Sequence, residues 1–329
     1  MKKIYLGLAV LFGMSSLVSA QTAENVKDTF TPSGKPIVTV FGDFSNVNSN
    51  SKSNNAFEIS RAYFGYGYNF SRDFSGKILF DVANTAGLSP SAFTVFLKNA
   101  YTEYSDQLMK VDFGLVGENM FDLQESTWGK RYLYKSFQDQ YGFGNSADLG
   151  AKIKFQFAPE VSLDLAVYNG EGYKKVQADS TVQIAAGLTV QPIKNLYARV
   201  YADYSKKNVA QSSYNAFVGY KSDKGSIAAE YNTQNGHGMV KDHNFSGFSL
   251  YGTLPVVKQV SVFARYDDLT SKKIGTATNG WNSTDGQVYI AGVEFVPVKG
   301  IQISPNFRYS DLKVGNSTTS FYVNLGMSF

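Results

Sequence analysis

The side chains in this chain best placed to do chemistry are charges, and they recur on one side of alternating segments. Arg61, Lys77, Lys110, Asp112, Lys152, Lys154, Arg199, Asp203, Arg265 and Arg308 each stand on the polar side of a stretch whose other side is apolar. Charges so placed can pair with one another or attract and sort ions in water. A second set, Glu118, Asp122, Glu125, Lys130, Arg131 and Lys135, lies between two such stretches in the longest connection of the chain. It holds both signs, so it can discriminate by charge, but it supplies no nucleophile with its base.

Other chemistries are poorly served. His237 and His243 are the only histidines, and they share one polar connection with Asp242. No tight ligand cluster surrounds them, so no metal is expected. A serine hydrolase needs a Ser hydrogen-bonded to a positioned His, and histidines in a solvated connection do not provide it. No enzymatic activity is expected. Gly142, Gly144 and Gly150 lack the strand-turn-helix setting of a nucleotide loop, and no cofactor is expected. The absence of cysteine rules out disulfides and Cys-ligated metal. The formal charge of +4 falls close to neutral without Lys2 and Lys3, and no concentrated basic patch points to nucleic acid.

The elements that position these charges are strands. Phe321, Val323, Leu325, Met327 and Phe329 alternate with Tyr322, Asn324, Gly326 and Ser328, the period of a strand with unlike faces. Ile301, Ile303, Pro305, Phe307 and Tyr309 alternate likewise with polar neighbours. The pattern predicts about sixteen strands, near 37–45, 57–69, 74–83, 94–104, 109–117, 147–157, 160–168, 181–191, 195–205, 212–221, 225–232, 245–254, 258–268, 286–296, 300–310 and 319–329. Alternation is blurred in 94–104 and 245–254.

Connections alternate in length. Long ones are expected at 46–56, 84–93, 118–146, 169–180, 231–244 and 271–285. Short ones are expected at 71–73, 105–107, 158–159, 191–194, 222–225, 255–257 and 297–300. Bacterial outer-membrane barrels have short periplasmic turns and longer extracellular loops. Aromatics recur at matching heights: Phe157, Tyr220, Phe295 and Phe329 near one rim, and Tyr204, Tyr266 and Tyr309 near the other. Such rings suit the two headgroup levels.

The expected fold class is therefore all-β, a transmembrane antiparallel β-barrel. Residues 1–20 read as a signal peptide. Lys2 and Lys3 precede an apolar run, and cleavage is expected after Ala20. Residues 21–35 read as a periplasmic N-terminal segment, and 36–329 as the barrel. Charges facing lipid at mid-depth would cost roughly 2–4 kcal/mol each for Arg or Lys. The charged faces must therefore line the lumen, and sixteen strands leave room for water there. The alternative is a lumen plugged by its own ion pairs, in a structural or surface-interaction barrel presenting its outer loops to a partner.

Several segments carry a family resemblance: Phe57-Glu58-Ile59-Ser60-Arg61-Ala62, Leu97-Lys98-Asn99-Ala100-Tyr101-Thr102-Glu103-Tyr104, Val167-Tyr168-Asn169-Gly170-Glu171-Gly172 and Ser146-Ala147-Asp148-Leu149-Gly150. With the barrel pattern, they resemble porins of the phosphate-selective O/P type, in a Bacteroidetes style. The C-terminal Phe329 resembles the closing signature of outer-membrane barrels. The resemblance implies a sixteen-stranded homotrimer in the outer membrane, in contact with its lipid. It also implies passive diffusion of small hydrophilic solutes or ions. The lumen holds few arginines, interspersed with acids, so a general porin is expected in place of a phosphate-selective one. In general porins the third loop folds inward, which makes Glu118, Asp122, Glu125, Lys130, Arg131 and Lys135 constriction candidates. Trp128, Tyr132 and Tyr134 would then pack on the wall. Lys110, Lys152 and Lys154 flank that loop and tilt the expected preference toward anions.

Overall fold

The computed structural model describes residues 30–50, 52–84 and 93–329. The expected signal peptide, residues 21–29 and most of the expected connection 84–93 lie outside the described residues.

Sixteen antiparallel strands close into a barrel, each paired with its neighbours in the chain and the first with the last. They are β1 (Ser33–Ser49), β2 (Lys52–Asn69), β3 (Phe74–Asn84), β4 (Phe93–Ser105), β5 (Met109–Val116), β6 (Asp148–Ala158), β7 (Val161–Tyr168) and β8 (Gln183–Ile193). Then follow β9 (Leu196–Lys206), β10 (Ala210–Ser222), β11 (Gly225–Asn235), β12 (Phe245–Val257), β13 (Val260–Ser271), β14 (Gly286–Phe295), β15 (Ile301–Leu312) and β16 (Thr318–Ser328). Closure pairs Thr39 with Ser328 and Asn46 with Phe321, so the sheet has no free edge.

Alternation sorts the side chains as expected over most of the wall. On β10, Ser213, Asn215 and Phe217 are buried inside, whereas Tyr214, Val218 and Tyr220 are exposed outside. The outer wall is an apolar belt. Phe157, Tyr220, Phe295 and Phe329 are exposed near one rim, and Tyr204 and Tyr309 toward the other. Tyr266 sits between Phe248 and Tyr289 on the same outer face.

Three departures from the expected strands have local causes. Between β3 and β4, Leu79 faces Asn99 and Phe80 faces Leu97, so Lys98 is an extra residue. This bulge shifts the inward parity of β4, which is why its alternation is blurred in sequence. Residues 46–56, expected as a long connection, continue the β1–β2 ladder to Ser49 opposite Lys52. No apolar period marks that stretch. Backbone pairing carries it, helped by the Asn46 amide donating to Asn55 at 2.6 Å. Residues 255–257, expected as a turn, lie within β12 at a register irregularity, and the turn itself is Lys258-Gln259.

The barrel wall makes a direct prediction. Val218→Arg places a charge on the lipid face of β10 and should lower stability in bilayers by about 2–4 kcal/mol. Denaturant unfolding in lipid vesicles checks this, and unchanged stability would refute the lipid-facing assignment.

Candidate functional site

Between β5 and β6 the chain leaves the wall for residues 117–147 and returns through the barrel interior. It carries two short helices, α1 (Asp122–Trp128) and α2 (Phe137–Gln140). Helix α1 stops at Gly129, whose φ of 67° is left-handed and suits glycine. The segment is seated by two kinds of contact. Trp128 stacks edge-on against Tyr251 and Phe263, within an apolar cluster that includes Leu133, Phe217, Val288 and Ile290. Phe137 and Phe143 pack with Phe245 and Leu269 in a second cluster.

Polar contacts fix the rest. Gln124 donates to Asn215 at 2.8 Å, and Gln138 to Asn232 at 2.8 Å. Tyr132 donates to Glu294 at 2.8 Å and bonds Ser304. Two glycines hollow the wall to receive aromatic rings. A Cβ on Gly326 would lie 2.9 Å from the ring of Tyr132, and one on Gly247 would lie 2.6 Å from that of Phe137.

The expected wall charges separate into two groups. Arg199, Arg265 and Arg308 hold the segment in place. Arg199 makes two hydrogen bonds to Asp164, at 2.5 and 2.9 Å, and donates to the Asn119 carbonyl at 2.8 Å. Arg265 grips Asp267 twice at 2.8 Å and donates to the Lys135 carbonyl at 2.7 Å. Arg308 donates to the Leu133 carbonyl at 3.1 Å and lies over the Tyr322 ring at 3.7 Å. Tyr134 fills the space between Arg265 and Arg308. Asp203 is buried near the root of the segment.

The second group lies around open space, although Asp112 is itself buried and Lys152 also donates to the Gly117 carbonyl at 2.9 Å. Lys110, Asp112, Lys152 and Lys154 line a cavity of about 460 Å³ together with Asp122 of α1 and Arg199. Lys152 lies 3.4 Å from Asp112, and Lys110 pairs with Glu103 at 2.5 Å. Lys77 shares this side of the lumen with Lys98, Lys110 and Lys152. Arg61 is neutralised by Asp81 at 2.5 Å. A second cavity of about 360 Å³ reaches Glu125, Arg131 and Tyr132.

The loop charges also divide. Asp122 is exposed to the first cavity. Arg131 is shared by Glu125 at 2.6 Å and Asp139 at 2.5 Å, and Lys135 reaches Asp139 at 3.4 Å. Burial raises the Asp139 carboxyl, but Arg131 and Lys135 outweigh it and hold the group below its usual range. Lys130 is buried against Glu294 at 2.7 Å. Glu118 is buried at the segment's root. Loss of water, with Asp148 and Asp203 nearby, raises its pKa well above the usual value.

Sequence reasoning missed two things here. Lys98 donates to Ser146 at 3.3 Å and lies over the Tyr63 ring at 4.8 Å, and the β4 bulge hid its inward orientation. Asn119, Gln124 and Gln138 are neutral amides, and a search for charge passes over them. His237 and His243 flank the Trp281 ring, with centroids at 5.3 and 4.4 Å.

No family model and no curated protein matches this chain. Solved structures do. OmpF of Salmonella typhi, in complex with daunomycin, shares 12% identity over 90% of this chain and 97% of its own, with a TM-score of 0.68. An anion-selective porin from Comamonas acidovorans shares 11% over 91% of this chain and 100% of its own, with a TM-score of 0.66. OprB of Pseudomonas putida shares 9% over 90% and 94%, with a TM-score of 0.66. At these identities the likeness is one of fold, and the fold is the sixteen-stranded closed barrel of outer-membrane porins.

Proposed function

We propose that this chain is an outer-membrane porin. Small hydrophilic solutes and ions diffuse through its lumen, which residues 117–147 narrow, and anions are favoured. One observation carries the reading. The acidic edge of α1, at Asp122, faces Lys110, Lys152 and Lys154 across a cavity instead of touching them. Opposed charges held apart by water make a field across a passage, and the sign in excess at its narrow part sets preference. With Lys77 and Lys98 on the same side of the lumen, Lys77, Lys98 and Lys154 stand against Asp122 and Glu160 once the Lys152–Asp112, Lys110–Glu103 and Arg199–Asp164 pairs are discounted. The similarly folded anion-selective porin supports the same direction. No chemical step and no cofactor enters this function. A homotrimer in the membrane accords with the fold and with the broad apolar belt.

A second reading has its own support. The segment 117–147 bonds to inward faces on β7, β9, β10, β11 and β13–β15, as a plug would. A plugged barrel would present its outer loops to a partner.

Planar-bilayer recording separates the two readings. The porin reading expects a steady, ohmic conductance and a reversal potential of anionic sign under a salt gradient. Lys77→Glu with Lys154→Glu should move that potential toward cations, and a silent but folded barrel would favour the plug. Gly326→Leu crowds Tyr132 and should loosen the narrowing segment, giving larger and noisier currents than the parent. An unchanged trace would mean that the segment does not set the bore. The root of the segment has a pH signature. Glu118 holds its proton in the fold above the pH at which the unfolded chain loses it, so its burial destabilises progressively as pH rises from about 4.5 toward the raised value. Glu118→Gln should match the parent's thermal stability near pH 4 and exceed it increasingly at higher pH. A pH-independent difference would contradict this.

A further inference from the structure

The outer wall over β11–β15 is not uniform. One register row crosses it through Ile227, Gly252, Ala264, Ala291 and Phe307. Its middle three residues are small. The row above them is bulky, running through Leu250, Tyr266, Tyr289 and Tyr309. Leu254, Val262 and Val293 stand on the other side. The small row is therefore the floor of a groove. Two adjoining hollows of about 490 and 530 Å³ share Ile227, Gly252 and Ala264, and the lining is almost entirely apolar.

The groove has a direction. Ile227 is the third residue of β11, close to a short turn, whereas Phe307 is the seventh of β15. The groove thus climbs from the short-turn rim toward mid-wall. From Ile227 to Ala291 it crosses three strand spacings of about 4.8 Å, or about 14 Å. On strands tilted by about 35–45° that path climbs about 8–10 Å, which lies within one leaflet, half of an about 30 Å hydrocarbon core.

At the lower end the lining turns polar, with Ser222, Ser226 and Lys224. Lys224 belongs to a larger pattern. Four successive short turns, β8–β9, β10–β11, β12–β13 and β14–β15, carry Lys194, Lys224, Lys258 and Lys299, all exposed. The one acid in these turns is Asp223, and it does not line the groove. The short turns on the opposite half carry Asp73, Asp106 and Glu160 with one base, Arg72. The turns are therefore net basic on the half where the groove descends and net acidic on the other.

We infer that this face holds an anionic phospholipid of the leaflet at the short-turn rim, with an acyl chain along Gly252, Ala264 and Ala291 and the headgroup phosphate on Lys224. Small residues let the chain sink below the aromatic row, so it is gripped on two sides where bulk lipid touches one. Basic side chains near an anionic membrane surface are drawn to its headgroup charge. The inference rests on the membrane-spanning part of the proposed function and not on the open lumen, so a silent barrel in conductance work leaves it standing.

Native mass spectrometry of the refolded full chain, titrated with dioleoylphosphatidylglycerol and separately with dioleoylphosphatidylcholine, tests it. The expected result is one retained phosphatidylglycerol per chain, at least tenfold tighter than phosphatidylcholine. Lys224→Gln with Lys258→Gln should remove that preference without altering the wall. Ala264→Phe with Ala291→Phe should abolish retention. Equal retention of both lipids by the parent would overturn the site. So would a preference that survives loss of both lysines, or filling of the groove that dissociates an oligomer while lipid binding is unchanged.

Discussion

The structure depends on one constraint: a backbone in lipid must satisfy its own hydrogen bonds. Closure of β1 on β16 does this for the whole wall, and it leaves each strand with an inside and an outside. Every charge in a strand must then turn inward or stay near a rim. The lumen inherits arginines, lysines and carboxylates that the outer face cannot carry, and its contents follow from that inheritance. Arg199 and Arg265, buried and doubly bonded to their aspartates, each donate one further hydrogen bond to a carbonyl of residues 117–147. The charges exiled from lipid become the mounts for the segment that fills the barrel.

That filling is lopsided. Over β10–β14 the inward face is apolar at Phe217, Tyr251, Phe263, Val288 and Ile290, where Trp128 and Leu133 pack. An apolar inward face would be costly in an empty aqueous lumen, and it is stable here because aromatic side chains of the segment cover it. On β5 and β6 the inward face stays basic, and space remains between it and α1. The wall thus divides the interior into a packed half that anchors and a half that keeps open space beside the lysines.

Much of this was legible in the sequence. The period of two gave sixteen strands and rings at both rims. It failed where the cause was not periodic. The bulge at Lys98 reverses parity within one strand, and no residue type announces it. The β1–β2 extension is held by backbone and amide pairing, which polar Asn and Ser residues leave unmarked. Phe245 and Tyr251 blurred the pattern of β12 because their partners are aromatic rings from a distant segment. The division of labour among the charges was invisible for the same reason. Whether an arginine faces water or a carbonyl depends on where residues 117–147 lie, and a strand pattern does not encode that.

The absence of cysteine in the chain allows a direct test of the open and packed halves. Single cysteines would replace Lys154, on the cavity, and Ser249, which is fully buried on the inward face of β12. Each variant would be exposed to a charged, membrane-impermeant thiol reagent during bilayer recording. The account predicts rapid modification and a stepwise fall in current for Lys154→Cys, and no reaction for Ser249→Cys. Modification of Ser249→Cys with Lys154→Cys unreactive would place the water path on the other wall and contradict the central claim.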